Sequence, residues 1–190
     1  MFMAISSSHT GTHSAPLAIS CMNTTGPVLE MGCGLYSTLL LHTICGKQGR
    51  RLHTVDHTLS WLEKFMHLQT STHTFEHLKC GSLNVTIYEF MYRLSPRWSR
   101  RIDESWDQVG KEEQWGLVFL DQLPLSRRVK DIKRLRASTD VFVIHNTNML
   151  GNWLSDFWPY LQTFNYTYTF PAFPATAVCS DRMDVRLFFR

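Results

Sequence analysis

The stretch Val28-Leu29-Glu30-Met31-Gly32-Cys33-Gly34-Leu35-Tyr36-Ser37-Thr38 decides how the rest of the chain is read. Val28 and Leu29 lead through Glu30 and Met31 into two glycines, after which Ser37 to Cys45 reads as a helix ending near Gly46 or Gly49. The unit is a strand, a tight turn and a helix. Upstream, residues 1–25 form an N-terminal segment: a polar Ser/Thr/His-rich start, then a short helix from Ala15 to Met22 that stops before Asn23 to Pro27.

Downstream the alternation continues. Leu52 to Val55 makes a second strand ending at Asp56. A helix follows in which Ser60 and Glu63 have capping-box spacing, with Trp61, Leu62, Phe65, Met66 and Leu68 on one side. Phe75 to Leu78 is a short third strand. Residues 79–105 mix a strand-like run, Val85 to Phe90, with Pro96 and several arginines, and read as an insertion or irregular loop. Gly116 to Leu120 is a continuous apolar run, expected of a strand buried on both faces, and it ends in Asp121. Leu125 to Arg136 puts Val129, Ile132 and Leu135 on one face and Arg127, Arg128, Lys130, Lys133 and Arg134 largely on the other, a basic amphipathic helix with a solvated side. Val141 to Ile144 is a fifth buried strand ending at His145 and Asn146. Leu150, Trp153, Leu154, Phe157, Trp158 and Leu161 then fall at helical spacing, kinked at Pro159. After the Thr/aromatic run Tyr166 to Phe170, the tail pairs Thr176 to Cys179 with Val185 to Phe189 around a turn at Ser180, Asp181 and Arg182. The expected fold is α/β, a Rossmann-like, doubly wound, mostly parallel sheet with an antiparallel C-terminal hairpin, and residues 1–190 are read as one domain.

Composition narrows the function. A formal charge of +3 is too mild to imply a nucleic-acid partner by itself. Five widely spaced cysteines without CxxC pairs read as reduced thiols rather than a disulfide frame or zinc site, and no apolar run suits a membrane span, so a cytoplasmic protein is expected. Asn-x-Thr triplets at Asn23, Asn84 and Asn165 carry no weight without secretion.

In an open parallel sheet the ligand crevice lies beyond the carboxyl ends of the strands. Those ends are marked here by Glu30 with Gly32 and Gly34, by Asp56, by Asp121, and by His145 with Asn146. The glycines let backbone approach a ligand, and Asp56, 22 residues after Gly34, stands where an acid takes both hydroxyls of a ribose. Adenosine binding follows. Tyr36 and Ser37 replace the small residues that would cradle a pyrophosphate, so a ligand without one fits better.

The stretch from Val28 to Thr38 resembles motif I of the class I S-adenosylmethionine-dependent methyltransferases, in the variant where GCG is followed by Ser-Thr; the likeness covers roughly residues 26–147. It implies a cofactor, S-adenosylmethionine, held by Glu30, Gly32, Cys33, Gly34 and Ser37 around the turn. Glu30 would serve the amino-acid end, Asp56 the ribose, His57 the adenine side, and Asp121 the methionine end or the substrate. Tyr36 departs from the pattern, standing where a third glycine is frequent. Asp121 and Asn146 are faintly similar to ligands of metal-dependent catechol-type O-methyltransferases, but His145 takes the place of an expected acid, and no metal is expected.

The activity so implied is methyl transfer to an oxygen or nitrogen acceptor, small or macromolecular. Asp121 and His145 are the candidate catalytic groups, His145 as a general base titrating near neutral pH. Two alternatives stay open. One is a binding module that keeps the fold without catalysis, suggested by Tyr36 and by residues 79–105. The other is an RNA-binding methyltransferase using Tyr92, Arg93, Arg97, Trp98, Arg100 and Arg101. Ser8, His9 and His13 read most plainly as part of a polar tail, and alternatively as a flap over the pocket.

Overall fold

The computed structural model describes residues 11–80, 91–111, 113–147 and 157–190. Seven strands form one sheet in the order β3-β2-β1-β4-β5-β7-β6. They are β1 (Val28–Met31), β2 (Leu52–Asp56), β3 (His73–His77), β4 (Trp115–Leu120), β5 (Thr139–Ile144), β6 (Tyr166–Phe170) and β7 (Thr176–Ser180). The first five run parallel, while β7 lies antiparallel to both β5 and β6. The expected doubly wound sheet with an antiparallel C-terminal hairpin is the fold observed.

The helices are α1 (Ser14–Met22), α2 (Thr38–Gln48), α3 (Leu59–Leu62), α4 (Pro96–Trp106), α5 (Arg128–Leu135) and α6 (Phe157–Leu161). Because side chains alternate across a strand, each central strand feeds two cores. Val28, Leu117, Phe119, Val141 and Val143 pack with Leu17 and Cys21 of α1 and Leu41 and Cys45 of α2. Their neighbours Leu29, Met31, Val118, Leu120, Phe142 and Ile144 pack on the other face with Ile102 and Trp106 of α4, Ile132 and Leu135 of α5, and Phe157 and Leu161 of α6. Every residue of β1 and β4 is buried, which is why β4 reads as a continuous apolar run rather than an alternating one, while β1 carries the buried Glu30 among its apolar residues.

Four expectations are corrected. Residues 79–105 are not an irregular insertion throughout: α4 fills 96–106 with Pro96 in its first turn, where a missing N–H costs nothing, and it supplies the β3-to-β4 crossover. Val185–Phe189 is a 3-10 helix rather than a strand, and the partner of β7 is β6. The Ser60/Glu63 capping box does not form; α3 starts after Thr58 and stops at Leu62. The basic side of α5 is not simply solvated, since Arg127 and Arg128 are buried. Arg127 pairs with Asp103, Asp107 and the buried Asp131, so acids contributed by α4 and α5 draw it inward. The strand-like run at 85–90, the helix residues Leu150, Trp153 and Leu154, and Ser8, His9 and Asn84 lie outside the described residues.

Candidate active site

Strand register builds the site. Met31 stands opposite Val55 and Leu120, and Leu120 opposite Ile144, so the next residues, Gly32, Asp56, Asp121 and His145, form a row across the carboxyl edge of the sheet. Asp56 is itself opposite His77, which extends the row to β3.

Gly32 sits at φ +92°, and a Cβ there would come within 2.6 Å of the Asp121–Gln122 backbone. The glycine is therefore required by the close approach of the turn to the exit of β4, as well as by its left-handed backbone. Gly34 is looser: a Cβ would meet only Ser37 Oγ, at 3.2 Å. Beneath the turn lies Glu30, fully buried, accepting hydrogen bonds from Thr38 Oγ1 at 3.0 Å and Thr54 Oγ1 at 2.8 Å. Thr38 Oγ1 in turn accepts from Gly34 N–H, which ties the turn to the first residue of α2. Burial pushes the Glu30 carboxyl up to about 7 against the pull of the surrounding hydroxyls, and the Asp56 carboxylate adds to the rise. Glu30 thus braces the turn from below. Ser37 is buried at the N-terminus of α2.

Asp56 is 5% exposed and points back toward the turn. Its Oδ2 accepts from Cys33 N–H at 3.0 Å and its Oδ1 from Thr58 N–H at 2.7 Å. The Cys33 thiol lies 3.5 Å from Oδ2, and burial with this carboxylate raises its pKa. Trp61 Nε1 donates to Cys33 O at 2.6 Å, so α3 clasps the outer side of the turn. His57 is buried beside Asp56, and desolvation lowers its pKa. With Leu59, Ser60, Glu63, His77, Lys79 and Arg101 it lines an open cleft of about 510 Å³.

Asp121 keeps a quarter of its side chain accessible; its Oδ1 accepts from Arg128 Nη2 at 3.1 Å and Asn146 Nδ2 at 3.4 Å. Burial pushes its carboxyl up to about 6 although Arg128 pulls the other way. The same arginine donates to His145 O at 2.6 Å and Gln122 O at 2.9 Å, joining the exits of β4 and β5. Asn146 holds this corner with a left-handed backbone at φ 59°. His145 has Nδ1 3.2 Å from Thr176 Oγ1, and burial, with His13 and Arg128 close by, takes its pKa down to about 2. A buried imidazole whose charged form is so disfavoured is a poor proton acceptor near pH 7, which counts against the general-base role expected of His145.

His13, read mainly as part of a polar tail and alternatively as a flap over the pocket, was missed as a residue of the site. It immediately precedes α1 and stacks edge-on to His145 with ring centroids 4.3 Å apart and beside Phe119 at 5.3 Å. The segment before it is pinned by Thr12 Oγ1 to Pro174 O at 2.9 Å, while the Tyr36 ring lies against Gly11. Tyr36, where a third glycine is frequent, thus seats the N-terminal segment. Arg128 was also missed, because its type and position gave no sign that it turns inward. In the arginine and aromatic set near α4, Tyr92 is buried with its hydroxyl on Asp103, and Trp98 packs partly buried against the core.

No protein-family model matches the sequence, and no curated protein matches it. Among solved structures the chain is similar to a methyltransferase from Geobacter sulfurreducens, with TM-score 0.59 and 10% identity over 90% of this chain and 78% of that one. The chain has the fold of the class I methyltransferases. Further likenesses are to the CcbJ methyltransferase from Streptomyces caelestis (TM-score 0.45, 12% identity, 77% of this chain and 57% of that one) and the 16S rRNA methylase ArmA (TM-score 0.47, 14% identity, 91% and 82%). The fold assignment rests on the first. Within this methyltransferase fold, the row Gly32, Asp56, Asp121 and His145 occupies the edge where open α/β sheets bind ligands. No described helix is long and apolar enough to cross a membrane, and all five cysteines are free and buried.

Proposed function

We propose that the chain binds S-adenosylmethionine over the β1 turn and transfers its methyl group to an oxygen or nitrogen acceptor. The observation that carries this reading is the carboxylate of Asp56 held one strand away from the Gly32–Gly34 turn, on the ligand-binding edge of a methyltransferase fold. The donor set suits the cofactor. Asp56 offers a charged acceptor pair for ribose hydroxyls, and Gly34 leaves room for backbone approach. His57 and the cleft beside it offer a place next to the ribose for the adenine. Bound there, S-adenosylmethionine would supply an electrophilic methyl on a sulfonium.

The residues of the chain would then mainly align the acceptor, because an in-line displacement gains most from position. Asp121 is suited to orient it: Arg128 and Asn146 fix its Oδ1 while part of the side chain faces the crevice. Calorimetric titration with S-adenosylmethionine and S-adenosylhomocysteine tests binding, and transfer of a labelled methyl to products in a lysate tests activity. Absence of binding by both nucleosides would sink the proposal. Binding without any transfer would favour a module that has kept the fold and lost catalysis.

A further inference from the structure

We infer that His13, Asp121 and His145 form a binding site for a divalent first-row transition-metal ion of the zinc, cobalt(II) or iron(II) class. One ligand atom from each lies within 4.8 Å of the other two. An ion about 2.1 Å from each donor needs ligand atoms within about 4.2 Å of one another, so closure takes only small side-chain movements. The three come from separate parts of the fold, the start of α1 and the exits of β4 and β5, and the sheet register with the pinned N-terminal segment brings them together.

His13 supplies the independent observation. It is 6% exposed, and neither ring nitrogen has a hydrogen-bond partner among the described residues. A buried imidazole with both nitrogens unsatisfied is costly, and an ion on one of them removes most of that cost. The other two groups are already oriented as ligands. Thr176 Oγ1 meets His145 Nδ1 at 3.2 Å; with the hydroxyl accepting there, Nε2 keeps its lone pair for an ion. Arg128 and Asn146 both engage Oδ1 of Asp121, which fixes the carboxylate and leaves Oδ2 as the oxygen to face an ion. Arg128 is a fixed positive charge nearby, but three of its nitrogens are committed to Gln122 O, His145 O and Asp121, so it acts as an outer brace of the carboxylate.

Two imidazoles and one carboxylate form a nitrogen-rich set that suits zinc, cobalt or iron(II) better than magnesium or calcium, which prefer oxygen ligands. Three protein ligands also leave coordination positions open, the pattern of a reactive rather than a structural site. This inference holds whether or not the crevice takes S-adenosylmethionine.

The test titrates the full chain with cobalt(II) and follows the visible d–d absorption, with equilibrium dialysis against zinc in parallel. About one equivalent should bind to the wild type. His13→Gln and Asp121→Asn should each weaken binding by about a hundredfold or more, because each removes a direct ligand. His42→Ala should leave it unchanged, since His42 pairs with His73 near the N-terminal half of β2, away from the site. Histidine-ring NMR of the zinc-loaded wild type provides a reading that no unstable variant can obscure: the His13 and His145 rings should shift while His42 and His73 stay. No stoichiometric binding, binding that survives in folded His13→Gln and Asp121→Asn proteins as an adventitious ion only, or shifts confined to other histidines would overturn the assignment.

Discussion

Replacing Glu30 with glutamine should stabilise this protein at neutral pH while changing little in acid. The Glu30 carboxyl group is fully buried, and its folded pKa, about 7, lies above the ordinary 4.5. Below pH 4.5 the acid is protonated in the folded and unfolded chains alike, and it contributes nothing to the pH dependence. Between 4.5 and about 7 the unfolded chain has lost a proton that the folded protein still holds. Stability therefore falls by about 1.4 kcal/mol for each pH unit in that window. Above it both states are ionised, and the cost levels off at roughly 3 kcal/mol. The substituted glutamine would keep the local hydrogen bonds. Its carbonyl accepts from Thr38, its amide donates to Thr54, and the Thr54 hydroxyl turns to donate to His73 Nε2, 2.9 Å away. Urea unfolding of both proteins should give equal stabilities near pH 4 and a gap of about 3 kcal/mol in favour of Glu30→Gln near pH 8. Comparing the two proteins cancels the titrating groups that do not interact with Glu30. A gap that does not change with pH would refute the reasoning, since it would mean that Glu30 ionises as easily in the fold as outside it.

Three further outcomes are expected. Asp56→Ala should weaken S-adenosylmethionine binding by about 1.5 to 3 kcal/mol in calorimetry, the cost of losing hydrogen bonds to a charged group; unchanged affinity in a folded protein would remove Asp56 from the ribose site. Gly32→Ala should destabilise the fold by at least about 1 to 3 kcal/mol through backbone strain alone, with the contact against the Asp121–Gln122 backbone in addition. Gly34→Ala, by contrast, should cost less than about 1 kcal/mol, and equal effects on thermal unfolding would contradict the different surroundings of the two glycines. Arg127→Met should cost about 1.5 to 3 kcal/mol, because it removes the fully buried charged partner of Asp131, which keeps only Arg134 and Gln122, whereas Lys130→Ala, at an exposed ion pair with Asp103, should cost no more than about 1 kcal/mol; denaturant midpoints that fall together would show that the network around Arg127 is not the buried element described.

What the sequence by itself determined is the part of this protein written in local pattern. Apolar runs at Gly116–Leu120 and Val141–Ile144, set in a strand–helix alternation and each ending at a polar residue, read as strands covered on both faces, and the glycines after Val28–Met31 read as a tight turn into a helix. Four strand exits marked by Glu30 with Gly32, by Asp56, by Asp121 and by His145 then followed from chain order. Residues 79–105 resisted because Pro96 and four arginines read as loop, although Trp98, Ile102 and Trp106 recur at four-residue spacing in the 11-residue helix that opens on Pro96. The 3-10 helix at Val185–Phe189 resisted because short apolar runs do not distinguish strand from helix without their pairing partners. Only the tertiary structure decided where charges and imidazoles are held. Arg127 and Arg128 belong to a basic stripe in the sequence, yet acids from α4 and from the exit of β4 turn them inward. His13, part of a polar tail in the sequence, becomes a buried neighbour of His145 and Asp121 because α1 docks across α2, β4 and β5. Hydrophobic periodicity is a local property that survives in one dimension, whereas burial of a polar group depends on which distant partner the fold places beside it.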